Sequence, residues 1–555
     1  MVLEAAWIFL LLFLFAGSPP PDAGESHYLV KARHYWSPEF CRGDLFVESA
    51  DAHLAFYWIS GWLTCFFSLE TTAWIGRILA WGAFAIGWQR LSAAILPGRF
   101  WSILSAGLML ALLRGCNMSR ELILVGGIEG KVFAYVFILF ALGELVRGRW
   151  NTAWILTGLA TAMHVIVGGW AGVALAIAWL ASPGDRPQFS SILPGIATAG
   201  IFALGGLIPG ILLTWGQDVA TVREAHRIYV FERLGHHLVF HRFGALVIAR
   251  HLALMLVWAC LVYPYWKKPV TLSGVNLAGA RLQRLILGAV AISLLGIAID
   301  QTLVGWATLS GLTEEAYQTL AAPLLRYYFF RLSDALLPMG VSLAWLALML
   351  RIKSTRPGWS AAGIVVALIL AGLNLGEICY DGILRPLPGA WLQPHPTQDS
   401  KLRAWQLPDE SGKRQLETGR EQFEDWLAVC DWIRENTPPR AKFLTPRRQQ
   451  TFRWYAHRAE VVTWKDLPQD AQSVVAWHTA IKDLFPTEGG GGDLDFHSDA
   501  DLVNLANQYG ASYIVMQRTP ATRPVRLQRV YPDVADENRS YAVYQVPQIV
   551  DSPQK

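Results

Sequence analysis

The sequence predicts a mainly α-helical protein, a polytopic bundle of about eleven transmembrane spans followed by a C-terminal extracytoplasmic α/β domain. Three observations predict it. Of 555 residues, 53% are hydrophobic and only 16% charged, with a mean hydropathy of +0.30, too apolar for a water-soluble chain. Apolar runs that suit a hydrocarbon layer of about 30 Å, roughly 20 residues as helix, recur up to residue 378 and then stop. Beyond a proline-rich stretch, short strands alternate with amphipathic helices. The charge balance, 47 basic against 43 acidic side chains with no long basic run, gives no reason to expect a nucleic-acid partner. The cysteines at 41, 65, 116, 260, 379 and 430 lack C-x-x-C or Cys/His ligand spacing, which argues against a structural zinc or a redox motif.

Taken in order, run 7–17 reads as an uncleaved anchor or a signal peptide, the anchor being favoured because Glu4 stands where a secretion signal carries positive charge. Further spans are expected at 75–96, 101–113, 132–146, 153–164, 170–181, 192–215, 245–265, 285–306, 329–350 and 359–378. Basic residues fall in alternate connections (Arg90/Arg99, Arg147/Arg149, Arg186, Lys267/Lys268/Arg281/Arg284, Arg351/Lys353/Arg356), and all can lie inside together. That orientation fits a bacterial inner membrane and puts the C-terminal domain outside. Residues 53–69 look like one more span, but counting them would reverse every later loop. With Phe56, Tyr57, Trp58, Trp62, Phe66 and Phe67 they suit a helix lying along the outer surface. The apolar run 154–180 is too long for one crossing, and His164 with Gly168-Gly169 marks a turn between two short helices.

The expected division is therefore a transmembrane part at 1–380, with an outer loop and interfacial helix at 17–72, a linker at 381–420 and an α/β domain at 421–555. Within that domain a helix is expected at 423–436, ending at Thr437-Pro438-Pro439. Strands follow at 442–445 and 460–463, a helix at 499–509, and strands at 512–516, 525–531 and 541–546. Gly489 to Gly492 reads as a loop, and no phosphate-loop or nucleophile-elbow motif occurs in the domain.

Candidate chemistry gathers in the outer connections. The first holds Asp22, Glu25, Glu39, Asp44, Glu48 and Asp51 against three bases, beside His27 and many aromatics. A carboxylate desolvated at a membrane surface has a raised pKa and can act as a general base, which singles out Glu25 and Asp44; the plainer alternative is that these acids solvate a loop and pair with its Lys and Arg. The next connection carries Arg114, Arg120-Glu121 and Gly126-Gly127-Ile128-Glu129-Gly130-Lys131. Its glycines would let backbone approach a ligand and Lys131 would meet a phosphate, or else Lys131 snorkels to headgroups. His164 either packs or contributes from the opposite helix end. The third connection runs from His226-Arg227 to Arg233, His236-His237 and His241-Arg242. It suits recognition of a diphosphate, or an amphipathic helix among headgroups. His237 and His241, at i and i+4, form a weak metal pair with no acid beside it. In the last connection Arg331 and Asp334 can pair on one helix face, leaving Arg326 at the mouth, or the pair serves packing alone.

The layout of anchor, acidic first outer loop, interfacial helix, many spans and C-terminal extracytoplasmic α/β domain resembles the GT-C class of membrane glycosyltransferases. More locally, Glu25-Ser-His-Tyr, Gly127-Ile-Glu-Gly-Lys131, Arg233-Leu-Gly-His-His237, Phe330-Arg-Leu-Ser-Asp334 and Phe452-Arg-Trp-Tyr-Ala-His-Arg458 resemble an uncharacterised family of bacterial multi-pass membrane proteins. The GT-C resemblance implies transfer of a sugar from a polyprenyl-phosphate carrier to an acceptor on the outer face. It implies a catalytic carboxylate in the first outer loop, a role that falls on Glu25, with Asp44 or Asp51 next. The class usually shows an acidic pair there, whereas this chain reads Gly24-Glu25-Ser26. The expected substrate-binding residues are His27, Glu129, Lys131, His164, Arg227, His236, His237, Arg326 and Arg331. No cofactor is expected, a divalent cation being left open, and the expected partners are the lipid-linked sugar, membrane lipid and an unidentified acceptor. Alternative readings are a lipid-linked polysaccharide polymerase or ligase, a transporter, and an envelope scaffold. No internal repeat supports a transporter.

Overall fold

The computed structural model describes residues 1–119, 126–267, 274–384, 387–391, 410–486, 493–518, 523–534 and 537–547. Contacts divide the chain into two units, one made of Met1–Gly17, Ala52–Ala55 and Ile75–Leu384, the other of Ser18–Asp51, Phe56–Trp74 and Arg385–Lys555. Helix α1 (Val2–Ala16) is followed by α2 (Glu25–Trp36), α3 (Leu45–Glu48), α4 (Leu54–Gly61), α5 (Leu69–Ile95) and α6 (Trp101–Cys116). Then come α7 (Gly130–Val146), α8 (Trp150–Met163), α9 (Val165–Leu180), α10 (Phe189–Leu212), α11 (Val219–Arg227) and α12 (Gly235–Leu238). Long helices α13 (Ala245–Lys267), α14 (Gly274–Ser310), α16 (Arg331–Ile352) and α17 (Pro357–Leu384) follow, with the shorter α15 (Glu314–Leu325) among them.

Among the described residues, five helices are long and apolar enough to cross a membrane: α10, α13, α14, α16 and α17, with mean hydropathy of 1.8 to 2.2 over their best windows. Helices α1, α6 and α9 are apolar but shorter. Helices α7 and α8, at 17 and 14 residues, fall short of the roughly 20 that a crossing takes. The count of eleven is therefore not reached by length and composition. The break inside the run 154–180 is present: α8 stops at Met163, His164 is extended (φ −154°, ψ 102°), and α9 begins at Val165. Small residues set the packing. A Cβ on Gly288 of α14 would lie 2.6 Å from the Cα of Ala174 on α9, so only glycine permits that helix approach. On α10 and α17, Ile201 and Leu373 are 69% and 68% exposed, as lipid-facing side chains are.

In the second unit, the segment expected to lie along a membrane surface forms α4 and a following 3₁₀ turn, Trp62–Cys65. It buries Phe56 and Tyr57 while Trp58, Trp62, Phe66 and Phe67 stay exposed. The C-terminal part begins with α18 (Glu410–Asn436), which starts well before the expected residue 423. Of the proline-rich stretch 386–396, only 387–391 lie within the described residues, and Gly489–Gly492 lie outside them. Strands β1 (Lys442–Leu444), β2 (Ala459–Glu460), β3 (Tyr513–Gln517), β4 (Gln528–Tyr531) and β5 (Tyr541–Gln545) alternate with α19 (Phe452–Ala456), α20 (Ala471–Leu484) and α21 (Asp499–Gln508). They form a five-stranded sheet in the order β2-β1-β3-β5-β4. Strand β1 runs parallel to β2 and β3, and β5 runs antiparallel to β3 and β4. Trp426, Val429, Cys430 and Ile433 recur at helical spacing on α18 and bury against Phe443, Val515, Tyr541 and Val543 of the sheet. The serine at 498 caps α21 in a capping box with Asp501.

Candidate functional site

The first unit gathers polar side chains where helices begin or break. Glu129 precedes α7 in an extended conformation, and Gly130 opens the helix. A Cβ at Gly130 would come 2.6 Å from the carbonyl oxygen of Met163 and 3.7 Å from Nδ1 of His53. This glycine thus admits the end of α8, not a ligand, to the start of α7. Lys131 is buried and its Nζ lies 3.3 Å from Oε1 of Glu129, itself 2% exposed. One turn along the same face, Tyr135 donates its hydroxyl to the carbonyl of Arg331 at 3.0 Å. That bond brings the start of α16 beside α7.

His164 and Arg331 complete the cluster. His164 accepts from the backbone N–H of Val167 through Nδ1 at 3.3 Å, capping α9. A neutral ring that accepts at Nδ1 carries its proton on Nε2, and that nitrogen lies 3.5 Å from Nη1 of Arg331. Both side chains are buried where α9 and α16 begin. The His53 ring lies 5.1 Å from that of His164, and the Arg331 guanidinium sits 3.7 Å above the Tyr328 ring. Tyr328 in turn shares a 3.0 Å hydrogen bond with the Tyr229 hydroxyl. Arg331 does not pair with Asp334, contrary to expectation. Instead Asp334 accepts from the backbone N–H groups of Met118 and Ser119, each at 2.8 Å, and from the Ser119 hydroxyl at 2.5 Å. His251 lies 3.3 Å from the same carboxylate, and Nδ1 of His237 lies 2.5 Å from the carbonyl of Ser119.

Other expected binding residues are already engaged. Arg227 is held by Glu224 at 2.7 Å, Glu232 at 2.9 Å and Gln318 at 3.3 Å. Arg326 donates to Nε2 of His226, whose pKa is pushed down to about 4 by burial and by that guanidinium. The His236 ring lies 4.0 Å from that of His237, tilted by 44°. His237 and His241 do not share a helix, because α12 ends at Leu238 and a separate 3₁₀ turn, Phe240–Arg242, follows. His241 pairs instead with Asp300 at 3.1 Å. Among the described residues no three His, Cys, Asp or Glu side chains group as metal ligands, and the cationic set around Lys131 does not suit a divalent ion. Arg120 and Glu121 lie outside the described residues.

In the second unit, the first outer segment meets the sheet. Arg453, on α19, is 1% exposed and faces Asp44 and Asp466 at 2.5 Å each and Glu460 at 3.0 Å. Asp44 also accepts from the backbone N–H groups of Phe46, Val47 and Glu460, at 2.9, 3.2 and 2.9 Å, which commits its carboxylate to capping and pairing. Burial, and next the charge of Asp44 against the opposing Arg453, leave the Glu460 carboxyl raised to about 8. His27 pairs with Asp466 at 3.1 Å, and burial holds its pKa below the usual imidazole value. Lys31 donates to the carbonyls of Phe46 and Ser49 at 3.0 and 2.6 Å and lies 3.8 Å from Asp51. Burial pulls that ammonium down to about 8 and lifts the Asp51 carboxyl. Glu25 is fully buried at the start of α2 and accepts from the backbone N–H of Asp22 at 2.7 Å.

Residues 424–484, which include Arg453, Glu460 and Asp466, match a family described as a domain of unknown function (DUF6798). Among curated proteins no match is found. Among solved structures the chain is similar to an oligosaccharyltransferase of Archaeoglobus fulgidus crystallised with Zn and sulfate, at 11% identity over 93% of this chain and 67% of that one, with a TM-score of 0.41. That likeness is too distant to carry an argument about activity.

Of the expected site residues, Glu129, Lys131, His164 and Arg331 come together at one end of the helical unit. His53, Tyr135 and Tyr328 join them unforeseen. Tyr135 was legible as the residue one turn after Lys131, whereas His53, in a short connection, carries no pattern that points inward. Glu25, His27, Asp44 and Asp51 belong to the second unit.

Proposed function

We propose that the chain is a GT-C-type glycosyltransferase that takes a sugar from a polyprenyl-phosphate carrier at the outer face of a bacterial inner membrane. The observation that carries the reading is the meeting of two buried basic side chains, with Nε2 of His164 3.5 Å from Nη1 of Arg331 where α9 and α16 begin. Helix starts that carry basic groups suit an oxyanion, and Lys131 adds positive charge at the start of α7. Such a cradle is suited to the phosphate of a lipid carrier. In transfer, the acceptor oxygen bonds the anomeric carbon while the bond from that carbon to the carrier phosphate breaks, and charge grows on the departing phosphate. Lys131, His164 and Arg331 would stabilise that growing charge. Glu129 tempers the charge of Lys131, to which it is paired. The acceptor's proton goes, on the resemblance, to Glu25; Asp44 is given a holding role, since its carboxylate is already committed.

The test is release of polyprenyl phosphate from a polyprenyl-phosphate sugar by the purified protein. Arg331→Gln is expected to lower turnover by roughly 10²–10³-fold, as removal of an oxyanion donor does. Wild-type turnover that survives Arg331→Gln and Lys131→Gln would remove this site from the reaction. Glu25→Gln with unchanged turnover would remove Glu25 as base without touching the phosphate assignment.

A further inference from the structure

The second unit contains a buried cation that the reading above does not use. Arg447 lies on the connection leaving β1, and it is 5% exposed. Its guanidinium stacks 4.5 Å over the Trp464 ring, with Phe485 at 5.9 Å beyond. Its Nε and Nη1 are buried, with no hydrogen-bond partner among the described residues. The nearest carboxylate, Asp493, is spent on backbone: it accepts from the N–H of Leu494 at 2.8 Å and from that of Arg447 itself at 3.3 Å. Two residues on, Oδ1 of Asp495 is likewise buried without a partner among the described residues. Asp493 offsets the charge of Arg447 but accepts nothing from these two nitrogens, and buried donors left without acceptors are destabilising, so a fold keeps them where something else can accept.

Topology singles out the same place. From β1 the chain passes through α19 to β2 on one side, then through α20 and α21 to β3 on the other side of β1. The carboxyl end of β1 is therefore the point where successive parallel connections diverge, which is where open α/β sheets bind ligands. Arg447 stands on the connection leaving β1 and Trp464 on the one leaving β2, tied by the bond from the Trp464 N–H to the Arg447 carbonyl at 2.8 Å.

We infer that the carboxyl end of β1 is an oxyanion site for an acidic saccharide, with Arg447 taking a carboxylate or phosphate in a forked contact and Asp495 accepting from a hydroxyl of the same ligand. The planar guanidinium, held by its indole platform, is pre-organised for either oxyanion. The inference does not depend on the transferase reading.

The full-length protein in detergent is titrated with D-glucuronate, glucose 6-phosphate, inorganic phosphate and glucose, reading both heat and melting temperature. Binding of glucuronate or glucose 6-phosphate, with no response to glucose, is expected, and which of the two binds tells carboxylate from phosphate. Arg447→Met should weaken that binding at least tenfold while the ligand-free protein melts no lower than wild type, because buried donors without acceptors have been removed. Arg447→Lys, which keeps the charge and loses the fork, should also bind more weakly. Failure of both acidic sugars to bind wild type, undiminished binding by Arg447→Met, or a lower melting temperature of that variant without ligand would each overturn the inference. Inorganic phosphate binding alone would do so as well, since it would leave no role for the saccharide.

Discussion

His164 occupies the single extended position between α8 and α9, and its ring is oriented by the N–H it caps. That constraint fixes which nitrogen faces Arg331. Replacing His164 by Ala is therefore expected to do two things at once. It removes a donor from the proposed phosphate cradle, and it uncaps α9 at a cost of about 1 kcal/mol, measurable as a lower melting temperature. His164→Asn, which retains a side-chain acceptor for the cap, should recover most of the stability and little of the turnover. Glu460 offers a second residue-scale prediction. Its pKa in the folded protein, about 8, is above the ordinary glutamate value, so the folded state holds a proton that the unfolded state has lost between those values. Stability then falls as pH rises through that window, by at most about 1.4 kcal/mol per pH unit. His27, with a lowered pKa, opposes this trend below 6.5. The clean interval is pH 6.5 to 8. Glu460→Gln is expected to flatten the decline in melting temperature there; an equally steep decline in the variant would show that Glu460 is ionised in the folded protein.

Among elements, the break between α8 and α9 was legible because an apolar run exceeded one span and contained His164 and a glycine pair. The strands and helices of the C-terminal sheet were legible from period and punctuation, as with α18, where Trp426, Val429, Cys430 and Ile433 repeat at helical spacing. Its early start was not, because residues 410–422 are polar enough to read as linker. The partners of Arg331 and Arg227 were illegible for a different reason. Sequence separates charges by position along one helix, whereas Asp334 is claimed by N–H groups 215 and 216 positions away and Arg227 by Gln318. Gly130 shows the same limit: its position suggested room for a ligand, and the structure gives that room to the carbonyl of Met163. Gly130→Val is accordingly expected to cost about 1–3 kcal/mol by overpacking and to displace Lys131, seen as lower melting temperature together with lost carrier binding. A variant of native stability would mean that α7 and α8 can part without penalty.

For the molecule as a whole, the grouping of Ser18–Asp51 and Phe56–Trp74 with the C-terminal residues is the feature that no local pattern announced. Arg453 holds it together within the second unit, since the carboxylates it neutralises, Asp44 and Asp466, are far apart in the sequence. Removing it by Arg453→Met strands buried negative charge and is expected to destabilise that unit by about 3–5 kcal/mol. Limited proteolysis should then cut within residues 18–51 at temperatures where the wild type resists.

The same arrangement imposes a schedule on biogenesis. A ribosome delivers Asp44 and Lys31 more than three hundred and fifty residues before Arg453 and the strands around it. Until those strands have been made, the early segment has no sheet to dock on, and its aromatic side chains stay without the partners they have in the folded unit. Premature stop codons late in the message would therefore damage the beginning of the protein as surely as its end.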